Sequence, residues 1–249
     1  MNLFHRRKYW RTPAGQVHSL FDDMANQPHL LVAGATGSGK SVVVNGIIYN
    51  LLHNGPSESQ LILIDPKRTE LSQYRYVPHC IRYASEPDDM IKALQLAMSI
   101  TERRYQEMQR KHERTYSGGD VYVIIDELAF LMTTQKKTAL PLLQRLGMVA
   151  RASKVHMIGC TQTVNHAVLP TTLTCNFDSR VALRTATAQQ SRMIVGVPGC
   201  ETFPEPVIEH KACCYYRSGT SLTAWYVPMY SDADLDRIVR WWTSKQCVA

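Results

Sequence analysis

The sequence lacks a long apolar run. Its longest stretch without a charged residue covers positions 155–177 and contains Gln162, Asn165, His166 and Pro170. A transmembrane helix needs about 20 consecutive, predominantly apolar residues, so this stretch is excluded as a membrane span. The N-terminus, MNLFHRRKYWR, is basic, but no apolar segment follows it. We therefore expect neither a membrane segment nor a secretory signal.

Disulfide chemistry also has little support in the sequence. The seven cysteines include no CxxC pair, and their odd number leaves one over from any complete pairing. This usage is typical of a reduced, intracellular chain, so we expect a cytoplasmic protein. No linker rich in proline, glycine or serine divides the sequence. We expect a basic arm over residues 1–13 and one domain over residues 14–249.

Acidic residues are fewer than basic ones, and the formal net charge at pH 7 is +7. A basic balance favours an anionic partner such as nucleic acid, but on its own this argument is weak. The basic residues cluster at positions 5–11 and 103–114. We expect the second cluster to form the solvated face of a helix.

Short apolar runs alternate with helix-like segments along the chain. We expect strands at 30–34, 61–64, 121–125, 155–160 and 179–184, and a hairpin at 215–226. We expect helices at 41–53, between a cap at Ser85 and Gly118, at about 138–151, and at 232–242. Strands that alternate with helices predict an α/β fold with a mostly parallel sheet and helices on both faces.

A glycine-rich segment follows the first of these strands. Its sequence, Gly34-Ala35-Thr36-Gly37-Ser38-Gly39-Lys40-Ser41, fits the P-loop pattern that joins a strand to a helix. Glycines let the backbone N–H groups face a phosphate, and the helix dipole supports the negative charge. Lys40 is placed to bridge the β- and γ-phosphates, and the Ser41 hydroxyl to bind Mg²⁺. We expect all eight residues to bind ATP.

Two carboxylates follow the apolar strand at 121–125. We expect Asp126 to join the Mg²⁺ shell beside Ser41, and Glu127 to polarise the attacking water as general base. On its own, an apolar run before Asp-Glu usually marks a solvated strand end. Together with the P-loop, it predicts hydrolysis of a nucleoside triphosphate.

Two further polar positions could serve the same reaction. Gln162, with Thr161, follows the strand at 155–160, at the sheet edge where open α/β sheets bind ligands, so it could sense the γ-phosphate. Arg151 ends the preceding helix. It could complement the dipole of its own helix, or reach the γ-phosphate of a neighbouring subunit as an arginine finger. Spacing alone leaves both roles open.

These motifs, with others in the same order, make the chain resemble the motor domain of FtsK/SpoIIIE double-stranded DNA translocases. The matching segments are PHLLVAGATGSGKS from Pro28 to Ser41, Ile64-Asp65-Pro66-Lys67 with Glu70-Leu71, Glu102-Arg103-Arg104-Tyr105, Asp126-Glu127-Leu128-Ala129, Ala150-Arg151-Ala152 with His156, and Thr161-Gln162. The similarity covers about residues 14–242. It implies a RecA-like domain that forms a hexameric ring, hydrolyses ATP between subunits and pulls duplex DNA through the central hole.

The resemblance also implies roles for three arginines. The arginine finger of the family corresponds to Arg151, which favours the role in a neighbouring subunit. Arg180 and Arg192 match further arginines of the family, in a region that implies interface and DNA-facing roles. We take Arg192 as a candidate DNA contact.

Two departures from the family pattern concern the grip on DNA. Thr163 stands where family members commonly have an arginine of a DNA-facing loop, and Ala188 where a lysine is usual. Fewer fixed cations would weaken phosphate contacts and flatten their salt dependence. Lys154, Arg184 or the N-terminal arm could compensate.

Two other functions stay open at this point. One is a ring ATPase that moves protein, as in secretion ATPases, and the other is a regulatory ATP-binding subunit without motor activity. Intact Lys40, Asp126 and Glu127 disfavour the second. Because the membrane domain, linker and winged-helix module of larger family members are absent, we expect a stand-alone motor of a mobile element or phage, or an excerpt from a longer protein.

Overall fold

One mixed sheet organises the part of the chain that the computed structural model describes, residues 10–18, 28–204 and 212–246. Its strands are β1 (Trp10–Arg11), β2 (Val17–His18), β3 (Leu30–Ala33), β4 (Ser59–Ile64), β5 (Cys80–Ala84), β6 (Asp120–Ile125), β7 (Val155–Thr161), β8 (Ser179–Ala182), β9 (Ala212–Ser218) and β10 (Ser221–Val227). Their order is β2-β1-β10-β9-β8-β3-β7-β6-β4-β5. The strands from β8 to β5 run parallel, whereas β9, β10, β1 and β2 pair antiparallel.

Helices cover both faces of the parallel part of the sheet. They are α1 (Lys40–Leu51), α2 (Pro87–Lys111), α3 (Leu128–Thr134), α4 (Lys136–Val149), α5 (Thr171–Thr174), α6 (Ala188–Val195) and α7 (Asp232–Gln246). Apolar side chains of α1 and α7 share one core with Leu30 and Val32, while those of α2 to α6 share the other with Leu31. Because both faces are buried, the central strands are almost continuously apolar. The expected α/β class is confirmed.

The expected strands are present with small shifts at their ends, but the sequence did not indicate β5. This strand lies at the edge of the sheet, pairs with β4, and leaves Ile81 exposed. Its residues therefore lack the buried apolar run by which the central strands were predicted. The short helices α3 and α6 were also missed, because their 7 and 8 residues are too few for a clear helical periodicity of apolar positions.

Two helix ends differ from the expectation, and the second of them concerns a candidate site residue. Helix α2 begins at Pro87 with Glu86, not Ser85, at the N-cap, since proline fits the first helical position. Helix α4 covers Lys136–Val149, so Arg151 lies in the turn after it rather than inside it.

The basic cluster at 103–114 is not a purely solvated face. Arg104 is buried, and its guanidinium donates hydrogen bonds to the backbone carbonyls of Ser153 and Lys154. The other basic cluster covers positions 5–11. Its residues 5–9 lie outside the described part of the chain, and its last two residues, Trp10 and Arg11, form β1. Within the described residues, no helix has both the length and the apolarity to cross a membrane.

Candidate active site

The P-loop connects the end of β3 to the start of α1. Gly37 and Gly39 have φ angles of 72° and 99°, in the left-handed region that glycine adopts without steric cost. A Cβ on Gly34 would lie 2.6 Å from Ser38 Oγ and 2.8 Å from Leu183 Cβ, so the loop needs glycine to pack against the end of β8. The loop is thereby fixed beside the carboxyl ends of the parallel strands.

The interior of this loop suits an anion. Lys40 Nζ donates to the carbonyls of Gly34 and Ala35, both at 2.9 Å, and burial lowers the pKa of this amine. Ser38 Oγ is buried without a hydrogen-bond partner among the described residues. A cation, an unpaired hydroxyl and the N-terminal end of α1 together fit a phosphate group. Ser41 lies in the first turn of α1, half-buried.

Two acidic side chains meet beside the P-loop because β4 and β6 are parallel neighbours. Ile64 pairs with Ile125, so Asp65 and Asp126 follow at the same edge of the sheet. Burial, followed by the charge of Asp65, raises the pKa of Asp126 from 3.8 to about 6. A cation bound beside Asp126 would favour its ionised form, and a carboxylate beside a serine hydroxyl is an oxygen donor set that suits Mg²⁺.

Sequence reasoning assigned no role to Asp65. Its side chain is fully buried, Oδ2 accepts from the backbone N–H of Leu71 at 3.0 Å, and Oδ1 has no partner among the described residues. The signal that could have identified it is its position after the apolar run 61–64, which mirrors that of Asp126. Only the strand order shows that the two ends are neighbours.

Glu127 is held rigidly between the ends of β6 and β7. Its side chain is 7% exposed, and Oε1 accepts from Thr161 Oγ1 at 2.9 Å and from the backbone N–H of Gln162 at 3.2 Å. The same oxygen caps α3 at the N–H of Ala129. Oε2 lies 3.4 Å from Lys67 Nζ, a cation that sequence reasoning also left without a role. These contacts fix the carboxylate orientation that a general base requires.

Gln162 connects the end of β7 to the P-loop. Thr36 Oγ1 donates to Gln162 Oε1 at 2.7 Å, and Gly34 N–H donates to the carbonyl of Thr161 at 3.3 Å. The structure thus brings Lys40, Asp126, Glu127 and Gln162 to one edge of the sheet, as the sequence predicted.

Arg151 is not part of this cluster. It precedes β7, whereas Gln162 follows it, and seven strand residues from Val155 to Thr161 lie between the two ends. At about 3.3 Å per residue, this places Arg151 about 20 Å from the P-loop edge. Its side chain is exposed and forms no hydrogen bond or ion pair with any described residue. It cannot reach the phosphate site of its own chain.

The three other arginines of interest differ in what they contact. Arg192 is exposed on α6 and is available to a partner. Arg180, in contrast, donates to the carbonyls of Phe177, Ile194 and Thr174 at 2.8–3.1 Å, so its guanidinium is held by backbone groups of its own chain, and its expected interface or DNA-facing role stays a prediction. The carbonyl of Arg184 accepts from Ala35 N–H, which places Arg184 beside the P-loop.

Comparison with known proteins identifies the family. The sequence model of the FtsK/SpoIIIE family matches residues 11–201. "DNA translocase FtsK" of Staphylococcus epidermidis is 38% identical over 195 residues, 70% of this chain and 24% of that protein. "DNA translocase FtsK" of Campylobacter jejuni is 33% identical over 242 residues, 91% of this chain and 25% of that protein. The chain thus spans about a quarter of the length of these relatives.

The fold agrees with this assignment. The cytoplasmic domain of the type VII secretion ATPase EccC from Thermomonospora curvata superposes with a TM-score of 0.76 over 96% of this chain and 32% of that chain, at 19% identity. At this identity the likeness concerns the fold alone. The family match, together with the P-loop and the paired carboxylates, shows that the chain belongs to the FtsK/SpoIIIE family and is a P-loop ATPase.

Proposed function

We propose that this chain is the motor domain of an ATP-driven translocase of double-stranded DNA, whose subunits complete each other's active sites in a ring, as a hexamer in the cytoplasm. The observation that carries the proposal is the separation of Arg151 from the phosphate site. An exposed arginine about 20 Å from its own P-loop edge can complete only a site on another copy. Family membership and the names of the two relatives support DNA as the cargo.

Each residue at the sheet edge has a role in this proposal. The P-loop residues 34–41 and Lys40 hold the phosphates of ATP, and Ser41 and Asp126 hold Mg²⁺. When bound, Mg²⁺ neutralises the charge on the β- and γ-phosphate oxygens. Glu127 accepts a proton from the attacking water, and its three donors keep it in place. Gln162 holds Thr36 and so couples the end of β7 to the phosphate loop.

Arg151 supplies the missing positive charge from the adjacent subunit. An arginine in this role stabilises the charge that develops on the transferred phosphoryl group. Hydrolysis is then possible only where two subunits meet, which couples turnover to assembly of the ring. We assign this activity to residues 14–249 as one domain.

Binding to DNA is proposed to be independent of base sequence and to rest on phosphate contacts. Arg192 is the candidate contact because it is exposed on α6. Thr163, also exposed, and Ala188, at the start of the same helix, supply no cations there. Lys154 Nζ is committed to the carbonyl of Gly118 at 3.2 Å. The lack of cations at 163 and 188 favours the second candidate, a ring ATPase that moves protein.

Steady-state ATP hydrolysis with and without duplex DNA tests the proposal. We expect linear duplex of random sequence to raise turnover severalfold, and Lys40→Ala to remain inactive in both conditions. Displacement of a triplex-forming strand from the duplex then reports translocation. Turnover that is unaffected by duplex at low salt but stimulated by an unfolded protein substrate would instead support the protein motor. Turnover near that of Lys40→Ala in every condition would indicate a regulatory subunit.

A further inference from the structure

The turn that carries Arg151 is closed by hydrogen bonds among its own residues. Val155 N–H donates to the carbonyl of Ala150 at 3.1 Å, and Ser153 Oγ donates to the same carbonyl at 2.9 Å. Lys154 N–H donates to the carbonyl of Arg151 at 3.1 Å. Lys154 has a φ of 54°, a left-handed conformation that is rare outside glycine and needs support from its surroundings.

That support comes from helix α2. Arg104 Nη1 donates to the carbonyl of Ser153 at 2.7 Å and to that of Lys154 at 3.1 Å. The guanidinium lies 4.3 Å from the ring centroid of Tyr116, a cation–π distance. Tyr116 N–H in turn donates to the carbonyl of Ala152 at 2.9 Å. The carbonyls at 152, 153 and 154 are therefore all fixed from outside the turn.

The residue after Arg104 holds the other side of the turn. Tyr105 Oη donates to the carbonyl of Val149, the last residue of α4, at 2.6 Å. Glu102 forms a surface ion pair with Arg145 of α4 at 2.6 Å. Three residues of the run Glu102-Arg103-Arg104-Tyr105 thus contact α4 or the turn, while Arg103 is exposed.

We propose that Arg104 and Tyr105 are positioning residues for Arg151, holding the turn so that the exposed guanidinium projects at a fixed angle toward the neighbouring subunit. This inference rests on the proposed role of Arg151 in trans. Burying a charged guanidinium costs free energy of folding that an apolar side chain of the same size would not cost. The arrangement is explained if the turn must be accurate, since a misplacement of about 1 Å at a catalytic group can cost about 100-fold in rate.

The first test separates catalysis from nucleotide binding. Arg104→Lys keeps the charge but loses the planar group over Tyr116, and Tyr105→Phe removes one hydroxyl. We expect each to lower kcat about tenfold to a hundredfold while KM for ATP stays within about twofold, because the P-loop is untouched. Arg103→Lys is the matched control in the same run and should keep the wild-type kcat. Should Arg104→Lys fail to fold, Tyr105→Phe decides the question.

The second test asks which half of the shared site is damaged. Arg104→Lys subunits mixed with Glu127→Gln subunits should show more activity than the two variants assayed separately, because the latter supply an intact finger. Mixed with Arg151→Ala subunits they should show no such gain, because neither variant supplies a correctly placed finger. The opposite pattern would place the defect in the phosphate site and overturn the inference. The inference would also fail if Arg151→Ala is inactive while Arg104→Lys and Tyr105→Phe both keep the wild-type kcat. An active Arg151→Ala protein would instead refute the proposed function itself.

Discussion

Asp126→Asn is expected to stabilise the protein while abolishing its activity. Burial and Asp65 raise the pKa of the Asp126 carboxyl from 3.8 to about 6. The folded state therefore binds more protons than the unfolded state between these two values, and stability falls as pH rises through that window. Above about pH 6 the carboxylate is ionised in the folded protein, and its burial lowers the free energy of unfolding by the full amount. Asparagine has nearly the same shape and carries no charge, so it removes this cost.

The size of the effect follows from the two pKa values. Their difference corresponds to about 3 kcal/mol, which screening by solvent reduces to about 2 kcal/mol for this half-buried group. For a chain of this length that is a rise in Tm of about 4–8 °C. The gain should be complete at pH 8 and about half as large at pH 5.

Thermal unfolding without nucleotide and with a chelator present measures the effect. Asp178→Asn, at an exposed carboxylate, is the control and should change stability by less than about 0.5 kcal/mol. Added Mg²⁺ and ATP should stabilise the wild type much more than Asp126→Asn. A variant that is less stable than the wild type at pH 8, or a gain that does not change with pH, would refute the reasoning.

Three further predictions concern catalysis and DNA. Lys40→Ala should fold normally, by circular dichroism and melting, and lose hydrolysis, because it removes the fixed charge on the phosphates. Glu127→Gln should bind ATP with near wild-type affinity but not hydrolyse it, by filter binding and phosphate release; near-normal turnover would end its assignment as base. Thr163→Arg should tighten duplex binding and steepen its salt dependence by about one phosphate contact, and Arg192→Ala should weaken it; equal slopes across a salt series would contradict both.

Local patterns in the sequence predicted the parts of the site that the chain builds locally. The P-loop is eight contiguous residues between a strand and a helix, and Asp126 and Glu127 directly follow an apolar strand. Gln162 was predicted because it too directly follows a central strand. In each case the neighbouring residues in the sequence determine where the side chain lies, so the local sequence pattern is enough to predict its position.

Contacts between distant segments could not be predicted in this way. Asp65 approaches Asp126 only because β4 and β6 are neighbours, an order that no local pattern specifies. Arginines usually lie at the surface, yet Arg104 is buried and donates to the backbone carbonyl of Ser153, which is 49 residues away in the sequence. Strand β5 was missed because an edge strand needs no apolar run. The distance of Arg151 from its own site likewise emerged only from the length and direction of β7.

The central claim, that each active site is completed by Arg151 of another subunit, has a direct test. Arg151→Ala should bind ATP but lose hydrolysis by about 10³-fold or more, and Glu127→Gln should also be inactive alone. Mixed at varying ratios in the presence of duplex DNA, with subunit exchange verified, the two inactive proteins should regain ATPase activity that peaks at an intermediate ratio, because some interfaces then combine an intact Glu127 with an intact Arg151. Activity that stays at the level of the separate variants at every ratio would contradict the account.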